Sequence, residues 1–362
     1  MVEQGAGGRR HGGVWQAARI AMSLALVVAM FVYLLGHAAD FSSVRAEIGS
    51  MTPLELVTLL LAAAWNLGTY SAVMVAATPG LTYPQAMVLT ESTTAVANTV
   101  PGGSAVAVGL TYAMLGSWGF SKSRATLSVI VSGLWNSFAK LALPVLALAL
   151  LALQGNANAA RVTAGLFGIV ALAGSVTVFA LALRKEEFAR RTGDRAAGWV
   201  SSLRRLVGRG PVDGWGDATA KFRNRTIGLV RHAWARLTVA TVVSHLSLYL
   251  VLLVALRHIG VSNGDVSWAE ALAVFAFVRL LTAIPITPGG LGVVELGLIA
   301  GFTAAGGDRD EVVAAVLIFR ALTYLLPVPL GLLTYLYWRR NSSWRGSAPP
   351  LSPSLAPAAS GP

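Results

Sequence analysis

The chain has 362 residues, of which 55% are hydrophobic and only 12% charged. A soluble domain carries about 25% charge, so an ordinary soluble enzyme is excluded and lipid must act as part of the solvent. The 28 Lys and Arg outnumber the 16 Asp and Glu, for a net +12; most flank apolar stretches and read as topology signals and contacts to anionic lipid headgroups, not as a nucleic-acid surface.

With no cysteine, the chain has no thiol nucleophile, disulfide, thiolate metal site or covalently attached haem. At about 25 to 35 residues per span and loop, its length allows roughly eight to ten membrane segments.

In chain order, residues 1–16 read as a cytoplasmic N-terminus. Residues 17–35 are apolar, follow Arg9, Arg10 and Arg19, and exceed the usual signal-peptide core, so they read as a first membrane anchor, with cleavage near Ala38 the competing reading. Continuous spans follow at 54–77, 125–153, 162–183, 237–256 and 312–338. Two further apolar stretches, 84–118 and 268–305, are broken at their centres by Pro-Gly-Gly. If each returns to the side it entered from, 21 cations fall on the cytoplasmic side and four outside, with Lys140, Arg279 and Arg320 left within the membrane. That asymmetry sets both termini in the cytoplasm of a multi-pass protein of the plasma, or inner, membrane.

The two breaks are written alike: Asn98-Thr-Val-Pro101-Gly102-Gly103 and Pro285-Ile-Thr-Pro288-Gly289-Gly290. Each precedes a half-span and then a long span containing proline, Pro144 in one case and Pro327 and Pro329 in the other. The pattern predicts an all-α polytopic membrane protein of two inverted-topology halves, residues 17–183 and 237–340, each with a Pro-Gly-Gly-broken re-entrant hairpin. Two unrelated helix breaks are the plainer alternative. Between the halves, the linker 184–236 holds thirteen cations against five acids. Within it, Trp199, Val200, Leu203, Leu206 and Val207 keep helical spacing among Arg195, Arg204 and Arg205, as in a helix lying in the headgroup plane. The tail 341–362, rich in Ser, Pro and Ala, is expected to be disordered.

Candidate site residues are the polar groups that a bilayer should exclude. A central charge costs about 2.5 to 3.5 kcal/mol on insertion scales, so Lys140, Arg279 and Arg320 must face a cavity, a carboxylate or a ligand. Glu91 precedes Asn98 by seven residues and Glu295 follows Pro288 by seven, giving each broken stretch one acid within about two turns of its break. One reading pairs these acids with the cations as buried salt bridges. The other gives the cations a lipid phosphate and the acids a cationic headgroup or a coupling proton. A broken span marks a cavity, because its freed backbone groups need protein or water, and the half-helix N-terminus that follows attracts anions.

Other chemistry finds little support. The five histidines lack metal-ligand spacing, and His245, in a span with Ser244 and Ser247, reads as a packed polar residue ahead of a proton relay. There is no His-Glu-x-x-His, Gly-x-Ser-x-Gly or phosphate-binding loop, so neither catalysis, metal nor cofactor is expected. Gly297-x-x-x-Gly301 permits close helix packing, and the ten Trp read as interface anchors.

The run Arg279-Leu-Leu-Thr-Ala-Ile-Pro-Ile-Thr-Pro-Gly-Gly-Leu-Gly-Val-Val-Glu295, followed by Ala315-Val-Leu-Ile-Phe-Arg320-Ala-Leu-Thr-Tyr324, resembles the second-half signature of the lysylphosphatidylglycerol synthetase transmembrane-region family of flippase-like membrane proteins. Asn98-x-x-Pro101-Gly102-Gly103 is similar to that family's first-half break. The resemblance implies translocation of an anionic lipid, aminoacylated phosphatidylglycerol or polyprenyl-phosphate type, or an accessory role beside a lipid-modifying or glycan-assembling enzyme. The family's soluble aminoacyl-transferring domain is not found after the last span. Where the family often carries an acidic-Arg pair, Ser132-Gly133 stands here, with Lys140 two turns along the same face.

Overall fold

A computed structural model describes residues 46, 49–100, 102–155, 159–184, 187, 190–191, 194–195, 197–201, 215–283 and 287–347. The expected anchor at 17–35, the prolines Pro101 and Pro285, linker residues 202–214 and tail residues 348–362 lie outside them. Among the described residues, all regular structure is helical: α1 (Pro53–Ala77), α2 (Tyr83–Thr99), α3 (Gly103–Ser117), α4 (Lys122–Leu153), α5 (Ala159–Arg184), α6 (Trp215–Ile259), α7 (Trp268–Leu281), α8 (Val293–Ala305), α9 (Arg309–Arg320) and α10 (Pro327–Arg340). Among the described residues, five stretches are long and apolar enough to cross a membrane: α1, α4, Arg161–Leu181 in α5, Phe222–Ile259 in α6, and the run from Arg309 to Arg340.

Local chemistry sets the helix starts. Thr52 and Ser267 cap α1 and α7, with Glu55 and Glu270 reaching back in capping boxes. Proline occupies the first turn of α1 and of α2, where its missing N–H costs nothing. Between α9 and α10 the helix widens into a π turn, Ala321–Leu325, in which the Leu326 N–H reaches the Ala321 carbonyl at 2.8 Å. Pro327 follows directly; the wider turn absorbs the carbonyl that an interior proline leaves without its usual donor.

The main buried cluster joins α6, α7 and α9 through Leu252, Leu256, Phe275, Val312, Val316 and Phe319, with Phe302 of α8. Gly297 and Gly301 let α8 approach Val278 and Val274 of α7, where a Cβ would sit 2.9 and 2.5 Å from their methyl groups, so this small-residue pair is a packing contact. By contrast α5 exposes Leu166, Phe167, Val170 and Val178. In water such a face would be a liability; in lipid it is the required one.

Three expectations are revised. The boundary at 236/237 falls inside α6, whose 45 residues span about 68 Å at 1.5 Å per residue, roughly twice a ~30 Å hydrocarbon core. The latter part of the basic linker is therefore a helical stem carrying Lys221, Arg223, Arg225, Arg231 and Arg236. The tail does not lose order at Asn341: a turn over 343–346 seats Trp344 edge-on against Trp118 at 5.9 Å, and the Gly346 N–H donates to the Ser117 carbonyl. Trp118, only 1% exposed, is thus a core residue and not an interface anchor. In the linker, Trp199 is 80% exposed.

Candidate functional site

Helical spacing brings polar residues to one interior face on helix after helix. Asn66 and Tyr70 share a face of α1, Glu91, Thr94 and Asn98 a face of α2, and Asn136 and Lys140 a face of α4. With Ser244 and His245 of α6, Arg279 of α7, and Arg320, Thr323 and Tyr324 around the π turn, they line a cavity of about 350 Å³. Gly289 and Gly290 of the second break line it as well, as does Ser104, at the start of α3 after the first. Five of the six expected binding residues meet here: Arg279, Arg320, Glu91, Asn98 and Lys140. Glu295 stands behind Arg320, outside the lining.

The two acids have different fates. Glu295, 1% exposed, accepts from Arg320 Nε at 2.6 Å through one carboxylate oxygen and from the Gly292 N–H at 2.7 Å through the other. It neutralises Arg320 and caps α8 in the same contact. The guanidinium of Arg320 lies over the Tyr324 ring, 4.5 Å from its centroid, and Nη2 donates to the Gly289 carbonyl at 3.3 Å. Arg320 is therefore held as a buried salt bridge, and the α8 N-terminus, expected to attract a ligand anion, already holds its own carboxylate.

Glu91 is also buried, at 4% exposure, but its Oε2 meets no hydrogen-bond partner and it makes no ion pair among the described residues. Also in the lining, Nε of Arg279 is buried without a hydrogen-bond partner among the described residues. Among the described residues, Lys140 Nζ reaches only the Thr282 carbonyl at the end of α7, at 3.5 Å. His245 Nε2 bonds Asn136 Oδ1 at 2.8 Å, the packed polar contact expected of it.

The breaks are fastened to each other. Tyr324 Oη donates to the Asn98 carbonyl at 2.5 Å, and Asn98 Nδ2 donates to the Tyr324 carbonyl at 3.2 Å. This reciprocal pair ties the last turn of α2 to the π turn. Gly289, at φ 58°, is in the left-handed region, and a Cβ there would fall on the Tyr324 ring. Gly102 is also left-handed, at φ 66°, but faces open space. Neither Gly102 nor Gly103 lines the cavity; Gly103 instead lies against the carbonyls of Val96 and Ala97.

Over residues 20–331 the sequence matches the family described as Lysylphosphatidylglycerol synthase TM region. The chain belongs to this family. Every cavity residue, from Asn66 to Pro327, falls within the matched span. Membership relates the chain to lipid modification or lipid flipping at a membrane. No curated protein matches the sequence.

Asn66, Tyr70, Asn136, Thr282, Thr287, Thr323 and Tyr324 join the site without having been singled out from sequence. The four-residue spacing of Asn136 before Lys140 and of Asn66 before Tyr70 was the available signal. Uncharged polar residues are common enough in membrane helices that it pointed to no cavity.

Proposed function

We propose that the protein moves, or helps to move, an anionic lipid or lipid-linked headgroup between the leaflets of the plasma membrane, without catalysing a covalent step. The carrying observation is Arg279, which lines a polar cavity together with Lys140 and whose buried Nε has no hydrogen-bond partner among the described residues. A charge so placed needs a compensating ligand, and a phosphodiester supplies one through the planar guanidinium fork. In this reading the two interrupted helices are re-entrant hairpins of inverted halves, entering from opposite sides, and the halves rock about the cavity. The basic linker and the α6 stem rest against anionic headgroups on the cytoplasmic face.

The test is flipping of fluorescent short-chain phosphatidylglycerol in proteoliposomes, read by dithionite quenching. Wild-type protein should accelerate it and Arg279→Gln should not. Equal rates from the two proteins would remove Arg279 from the site.

A second reading, an accessory subunit of lipid or cell-envelope glycan assembly, draws on the Arg320–Glu295 pair, a charge pair already complete within the protein. It predicts no flipping by the purified chain, and loss of the partner enzyme's activity when the chain is deleted.

A further inference from the structure

Among the described residues, Glu91 is the one carboxylate that lines the cavity. It is 4% exposed, carries an unpartnered oxygen and makes no ion pair among the described residues. Glu295 shows what a permanently ionised acid looks like in this fold, with one oxygen on a guanidinium and the other on a backbone N–H. Glu91 has neither. In the empty cavity Arg279 and Lys140 offset the Glu91 charge; an anion arriving there engages those cations and favours a proton on the unpartnered carboxylate.

Resting on the reading of the cavity as an anionic headgroup site, we propose that Glu91 is a proton-binding site coupled to headgroup binding. The phosphodiester enters against Arg279 and Lys140, and a proton from water forms an O–H bond on the Glu91 carboxyl. Arg320 and Glu295 cancel each other, so the empty cavity holds two cations and one carboxylate. The loaded cavity holds the same two cations, one phosphodiester and a neutral Glu91. Its net charge is unchanged. Headgroup and proton therefore travel as a neutral pair, and a pH gradient drives the movement while the membrane potential does not.

Other groups face Glu91 across the cavity: Tyr70 from α1, Lys140 from α4, His245 from α6, Arg279 from α7, Arg320 from α9 and Tyr324 from the π turn. The neighbours α3 and α10 contribute no titratable lining residue, only Ser104 and the Pro327 at the start of α10. Of these groups, loss of the Lys140 proton at high pH would also weaken anion binding, so the test must separate Lys140 from Glu91.

The full-length protein in detergent is titrated with dihexanoylphosphatidylglycerol at a series of pH values, with proton uptake followed by a pH-indicator dye. One proton per anion gives an affinity that strengthens up to about tenfold for each unit fall in pH. The slope and the uptake should survive in Lys140→Arg and vanish in Glu91→Gln, whose affinity stays flat near the wild-type low-pH value. An unchanged slope in Glu91→Gln overturns the proposal. So does tighter binding of dihexanoylphosphatidylethanolamine without proton uptake, which would make Glu91 a contact for the ligand's ammonium. If wild-type protein binds neither lipid, the headgroup reading fails, and infrared difference spectra on the same protein still decide the proton site. A protonated-carboxyl band that is lost as pH rises in wild type and is absent from Glu91→Gln supports it; no such band sinks it.

Discussion

Arg320 and Arg279 carry the same charge, yet substitution should affect them in opposite ways. Arg320 meets Glu295 at 2.6 Å with both side chains buried, so removing either partner strands the other, at roughly 3 to 5 kcal/mol. Arg320→Gln and Glu295→Gln should each lower the melting temperature in detergent, and the double variant should recover most of the loss. If the double variant is no more stable than the singles, the pair does not hold the fold. Arg279 Nε is buried without a hydrogen-bond partner among the described residues. Arg279→Gln should therefore melt at or above wild type, relieved of a burial cost on the order of 2.5 to 3.5 kcal/mol, while flipping is lost. A marked drop in melting temperature would mean that Arg279 is structural. Sequence alone supplied both arginines and both acids but not their pairing: Arg320 and Glu295 lie 25 positions apart on different helices, and nothing in either local pattern distinguishes Glu295 from Glu91.

The helix breaks likewise separate in kind. Gly102 and Gly289 both sit at left-handed φ, which costs a side-chain-bearing residue roughly 1 to 2 kcal/mol. Only at Gly289 would a Cβ also strike the Tyr324 ring, adding an overpacking cost of about 1 to 3 kcal/mol. Gly289→Ala should thus lower thermal stability clearly more than Gly102→Ala; equal losses would place the ring elsewhere. Tyr324→Phe keeps the ring but removes the donor to the Asn98 carbonyl, leaving a buried acceptor unmet at about 1 to 3 kcal/mol. It should loosen the tie between α2 and the π turn, read as faster hydrogen exchange at the end of α2. Both interruptions were legible from the repeated Pro-Gly-Gly, because glycine and proline act through the backbone they occupy. The π turn was not, since a proline inside a helix announces a distortion without saying which.

For the molecule as a whole, composition and apolar runs announced the helices, but not where helix outlasts membrane. The stem of α6 reads as loop by charge and yet continues as helix, because Lys and Arg are good helix formers and only the bilayer, not the backbone, excludes them. The charge asymmetry still bears on orientation: the cation-rich segments from Arg184 to Arg236 and after Arg339 should share one side, opposite the loop between α6 and α7. The chain has no cysteine, so single thiols can test this directly. Trp199 is the better reporter for the basic linker, being 80% exposed where neighbouring Ser201 is 6% exposed. Ser262 sits in the exposed turn after α6. Trp199→Cys in intact cells should resist a membrane-impermeant maleimide until the membrane is opened, whereas Ser262→Cys should label at once. Labelling of both from outside would place the linker on the wrong face, leave the cation count without an explanation in insertion, and remove the basis for hairpins that enter from opposite sides.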